Sequence, residues 1–95
     1  MAIKVLLVED DRALREALAD TLLLAGHDYT AVGSAEEALA MLKETRFDCM
    51  VLDLRLGSGT DGFQLLETVK SDPAMAELPI IIYTGKELNQ EEETR

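Results

Sequence analysis

Basic residues are scarce in this sequence. Nine Lys and Arg stand against nineteen Asp and Glu, a formal net charge of −10. A surface of that sign repels nucleic acid and anionic lipid, and it attracts cations and basic partner faces. Long apolar runs are missing too: none approaches the roughly 20 residues that a bilayer-spanning helix needs. The opening MAIKVLLVEDD is too short, and too soon interrupted by acids, for a signal peptide. The expectation is a cytoplasmic domain with no membrane insertion and no nucleic-acid partner. The lone cysteine, Cys49, can form no internal disulfide, and within the apolar run CMVL it reads as a buried, inert thiol. Repeats and low-complexity linkers are absent, and 95 residues suit one core.

What is present is a strict alternation of elements. Ile3 to Val8 is a short continuous apolar run, the mark of a strand covered on both faces. From Arg12 to Ala25, Leu14, Ala17, Leu18, Thr21 and Leu22 recur at helical spacing, and Gly26 supplies the stop. HDYTAV reads as a second strand, after which Ser34 and Glu37 have the spacing of a capping box that opens a helix to about Thr45. FDCMVLDL, residues 47–54, is a third strand. Beyond the Gly-rich loop RLGSGTDG, Phe63, Leu66 and Val69, with Leu65, predict a third helix ending near Pro73. Ile80 to Tyr83 is a fourth strand, and Asn89 with Glu92 repeats the capping-box spacing as a fourth helix begins. Such alternation implies an α/β fold, a doubly wound parallel sheet with right-handed crossovers.

The acids fall where such a sheet does chemistry. Glu9, Asp10 and Asp11 follow the first strand, Asp53 closes the third and Thr84 closes the fourth, so all lie at carboxyl ends. Ligands of open α/β sheets bind at those ends, where the strand order reverses. If strands one and three are neighbours, Glu9, Asp10 and Asp53 converge, and like charges at short range call for a counter-cation. Mg2+ fits: it takes one or two carboxylates with phosphate oxygens and waters, which leaves a carboxylate oxygen to attack phosphorus. Thr84 and the main-chain N–H groups around Gly85 are placed to bind phosphoryl oxygens. The bland readings are a solvated face for Glu87, Glu91, Glu92 and Glu93, a surface position for His27, and packing for Met41, Met50 and Met75.

VLLVEDD, VLDLRL, DGFQLL and PIIIYTG, in that order at strand ends, resemble the receiver domain of bacterial two-component response regulators over almost the whole chain. The resemblance implies a flavodoxin-like (CheY-like) sheet of strand order 2-1-3-4 and a phosphoryl group accepted by Asp53 from a histidine kinase or a histidine phosphotransfer protein. It also implies Mg2+ organised by Glu9, Asp10, Asp53 and the main-chain carbonyl of Arg55, with Thr84 on the phosphoryl group. No dedicated enzyme activity is expected beyond self-catalysed phosphorylation and dephosphorylation of the aspartate. Asp11 is left outside the metal set, at the entrance to the first helix, where an acid suits the helix dipole.

Three departures accompany the resemblance. The family's fifth strand with its Lys, its aromatic switch residue and its fifth helix have no counterpart in these 95 residues, so the domain reads as C-terminally incomplete, and Lys86 is taken as an exposed loop residue rather than a substitute. Gly57 stands where the family usually has Pro, and the loop before Asp61-Gly62 runs one residue long; both are expected to modify the entrance to the site. The alternative reading is a phosphorylation-impaired receiver-like interaction module, or the receiver fragment of a hybrid sensor histidine kinase. An apolar fourth strand on a sheet edge also predicts self-association, as a homodimer or by exchange of the terminal segment.

Overall fold

The computed structural model describes residues 2–56 and 61–83. Along them alternate β1 (Lys4–Val8), α1 (Arg12–Leu24), β2 (Asp28–Val32), α2 (Ala35–Glu44), β3 (Cys49–Asp53), α3 (Asp61–Ser71) and β4 (Ile80–Tyr83). All pairings are parallel and the order is β2-β1-β3-β4, as the alternation and the resemblance imply. The loop residues Gly57, Ser58 and Gly59, and the expected fourth helix with Asn89 and Glu92, lie outside the described residues. No helix among the described residues is long and apolar enough to cross a membrane.

The order explains the layers. β2 and β3 lie on opposite sides of β1, so right-handed crossovers send α1 to one face of the sheet and α2 to the other, where α3 follows. Leu6 and Val8 of β1 and Met50 and Leu52 of β3 pack with Ala38 of α2 and with Leu65 and Val69 of α3 in one buried cluster. Val5, Leu7 and Cys49 alternate with them and are buried on the α1 side. Both faces of the central strands are thus apolar, and their sequences read as unbroken runs.

Local chemistry sets most of the boundaries. The Asp11 side chain caps α1 by accepting from Leu14 N–H at 3.2 Å, and Ser34 caps α2 by accepting from Glu37 N–H at 3.1 Å. Glu37 reaches back to Gly33 N–H at 2.9 Å, so the box closes one residue before the cap. After α1 the chain turns at Gly26 with φ +85°, a region that favours glycine.

Three details differ from the sequence reading. β3 is shorter than its apolar run: Phe47 is buried before the strand begins, and Asp48 accepts from Lys4 N–H through Oδ2 at 2.7 Å while its own N–H donates to the Lys4 carbonyl at 2.8 Å. The inward stripe of α3 runs through Gly62, Leu65, Leu66 and Val69, at helical spacing, which turns Phe63 outward with 54% of its surface exposed. His27 is half-buried and accepts from Ile3 N–H through Nδ1 at 3.2 Å, a structural role. Met50 is fully buried and Met41 and Met75 pack against the core, as expected. Cys49 is buried, and that burial, with the charge of Asp48, raises its thiol pKa and makes it a poor nucleophile.

Candidate active site at the carboxyl end of the sheet

Register brings the acids together. Val8 is the partner of Leu52, so the next residues, Glu9 and Asp53, stand level at the ends of β1 and β3, and Asp53 is in turn the partner of Tyr83 on β4. Glu9, Asp53 and Tyr83 form one row across three adjacent strands. Glu9 and Asp53 are the only buried charged residues among those described, each with no exposed surface.

Hydrogen bonds hold the row in place. Glu9 Oε2 accepts from Asp11 N–H at 2.8 Å, and Glu9 Oε1 accepts from the Tyr83 hydroxyl. The Glu9 main chain is held as well, by Arg15 Nη1 on its carbonyl at 2.9 Å and by its own N–H donating to the Val32 carbonyl at 3.1 Å. Asp53 Oδ1 accepts from Arg55 N–H at 2.9 Å. One oxygen each from Glu9, Asp10 and Asp53 lie within 4.8 Å of one another. That spread is comparable to the roughly 4.2 Å between opposite oxygens around Mg2+, and an all-oxygen set suits a hard divalent cation.

Electrostatics agree with that donor set. Burial raises the pKa of Glu9, and the nearby charge of Asp53 adds to the rise, while the hydrogen bonds from Tyr83 and Asp11 oppose it. Burial also pushes the Tyr83 hydroxyl above the usual phenol range, helped by its bond to Glu9, so Tyr83 is a neutral donor at physiological pH. A divalent cation would offset the cost of crowding these carboxylates.

A glycine brings α3 against the main chain at the end of β3. A Cβ on Gly62, in the first turn of α3, would lie 2.6 Å from both the Asp53 carbonyl oxygen and Leu54 Cα. Only glycine lets the helix approach the end of β3 so closely, which gives the Asp61-Gly62 pair a steric meaning.

Of the residues singled out in the sequence, Glu9, Asp10 and Asp53 come together, and Arg55, two residues after Asp53, donates its main-chain N–H to the Asp53 carboxylate. Thr84, Gly85 and Lys86 lie outside the described residues. Asp11 stands apart from the three carboxylates as a helix cap, although its N–H orients Glu9. Sequence reasoning missed Tyr83. Its signal was the strand order itself, because a 2-1-3-4 sheet with aligned ends sets the last residue of β4 beside Asp53.

The receiver domain model of response regulators matches residues 5–94. This chain belongs to the response regulator receiver domain family. Receiver domains are the phospho-acceptors of two-component signalling. The chain is 51% identical over 85 residues to the response regulator protein FleR of Pseudomonas aeruginosa, covering 90% of this chain and 17% of FleR. It thus spans about a sixth of that relative's length. Among solved receivers, the chemotaxis response regulator CheY4 of Vibrio cholerae superposes with a TM-score of 0.79 at 28% identity, covering 99% of this chain and 80% of that one. The receiver domain of the sensor histidine kinase PA1611 from Pseudomonas aeruginosa superposes with a TM-score of 0.82 at 25% identity, covering 98% and 75%, and that structure carries a magnesium ion in its active site cleft.

Proposed function

We propose that Asp53 is the residue of this receiver that accepts the phosphoryl group, with Glu9, Asp10, Asp53 and the main-chain carbonyl of Arg55 as the ligands of Mg2+. The observation that carries this reading is the convergence of three carboxylates within 4.8 Å at the carboxyl ends of the two central strands, β1 and β3. Bound Mg2+ would neutralise the carboxylates and the phosphoryl oxygens, so that an anion can approach an anion. An Asp53 carboxylate oxygen attacks phosphorus in a phosphohistidine, the P–N bond breaks, and its electron pair returns to the imidazole, which takes up a proton. The products are an aspartyl phosphate and a free histidine. The donor is a histidine kinase or a histidine phosphotransfer protein. Thr84, directly after β4, is assigned to hydrogen-bond the phosphoryl oxygens.

The test uses intact mass after incubation with acetyl phosphate and millimolar Mg2+. One phosphoryl adduct is expected on the wild type and none on Asp53→Asn. An unmodified wild type, or an equally modified variant, refutes the assignment.

We also propose that the chain self-associates as a homodimer through β4. Among the described residues β4 pairs on one side only, and Ile81 and Ile82 are 57% and 43% exposed. Such an edge is a template for a further strand. A monomer by light scattering at tens of micromolar contradicts this.

A further inference from the structure

Tyr83 has no part in the phosphoryl transfer described above, yet its hydroxyl donates to one of the proposed metal ligands across a sequence separation of 74 residues. Adjacent strands are about 4.8 Å apart, so β1 and β4 are separated by roughly 9.6 Å with β3 between them. A side chain from the end of β4 that reaches a carboxylate at the end of β1 must pass over the end of β3. Asp53 sits there, level with Tyr83 and fully buried.

The two oxygens of Glu9 are held differently. Oε2 takes the Asp11 main-chain N–H, which comes from the same β1–α1 connection and needs no tertiary rearrangement to persist. Oε1 takes the Tyr83 hydroxyl, which reaches it from another strand. The second bond is the one that ligand entry can exchange, since it depends on a single side chain that is only partly buried.

We propose that Tyr83 is a positioning residue that latches the cation-free site: its hydroxyl occupies Glu9 Oε1 in place of a cation, while its ring lies over Asp53. The hydroxyl and a divalent cation then compete for the same oxygen. Tyr83 thereby sets the metal affinity of the site and couples cation entry to the uncovering of Asp53. This inference rests on the metal assignment made above.

The test is Tyr83→Phe, which keeps the ring and deletes the donor, with Mg2+ binding measured by calorimetry. The variant is expected to bind Mg2+ roughly tenfold more tightly, the scale of a hydrogen bond to a charged acceptor that need no longer be displaced. Equal or weaker binding overturns the latch and leaves the metal assignment standing. Absence of Mg2+ binding in both proteins overturns the metal assignment, and the latch with it. A second readout needs only the wild type: a tyrosine donating to a carboxylate emits weakly, so saturating Mg2+ should raise the tyrosine emission. The rise should vanish in Tyr83→Phe, where Tyr29 is the sole remaining tyrosine. Unchanged emission in wild type that has bound Mg2+ also overturns the latch.

Discussion

Replacing Gly62 by alanine tests the contact that joins α3 to the end of the proposed acceptor strand. The added Cβ would lie 2.6 Å from the Asp53 carbonyl oxygen, 2.6 Å from Leu54 Cα and 2.7 Å from the Leu54 carbonyl carbon, where ordinary contact begins at 3.4 Å. All three neighbours are main chain, so no flexible side chain can yield. Relief requires α3 to withdraw by somewhat under about 1 Å, and that motion opens the packing of Leu65 and Val69, which are 1% and 0% exposed. Overpacking of this kind costs about 1–3 kcal/mol, and the clash with rigid backbone places Gly62→Ala at the upper end. The better helix propensity of alanine returns about 1 kcal/mol at most, less so near a helix start. A net loss of about 2 kcal/mol, or a Tm lower by roughly 8–16 °C, is expected. The assay is urea or thermal unfolding followed by far-UV circular dichroism, with Gly26→Ala as comparison. At Gly26 nothing lies within 4 Å of a new Cβ, and the cost is the left-handed φ of 85° alone, about 1–2 kcal/mol. If Gly62→Ala unfolds within about 0.5 kcal/mol of the wild type, the close approach does not constrain the site.

Two further outcomes are expected. Because burial and Asp53 raise the Glu9 pKa in the fold, Glu9 contributes stability that is fully present below its unfolded value of 4.5 and is lost as pH rises through the raised one. In metal-free protein, Glu9→Gln should therefore be less destabilised than wild type on moving from pH 5 to 8, and should lose the Tm increase that Mg2+ confers on the wild type; parallel Tm–pH curves for the two proteins would contradict the buried-charge reading. Ile81→Lys places a charge on the exposed edge of β4 and should shift the protein to monomer in light scattering with the far-UV spectrum preserved; an unchanged mass for an associated wild type would move the interface elsewhere.

Much of the molecule was legible because its signals are local. A continuous apolar run, a stripe at helical spacing and a capping side chain three positions before the N–H it accepts from each act within a few residues, so all seven described elements, the Asp11 and Ser34 caps and the burial of Cys49 follow from the sequence. The acids of the site were legible because Glu9 and Asp10 directly follow the first strand and Asp53 closes the third. The precise inner face of α3 was not, since Phe63 is as apolar as its neighbours and only the approach of Gly62 to Leu54 decides which way the helix is turned.

By itself, then, the sequence determined a parallel α/β sheet with acids at its carboxyl ends, because periodicity and caps report on short-range backbone conformation. Only the tertiary structure decided which side chains meet across those ends. The hydroxyl of Tyr83 on Glu9 spans 74 residues of chain and three strands. That contact depends on strand order and register, which follow from crossover handedness and from burial of both sheet faces, and no window of sequence contains either.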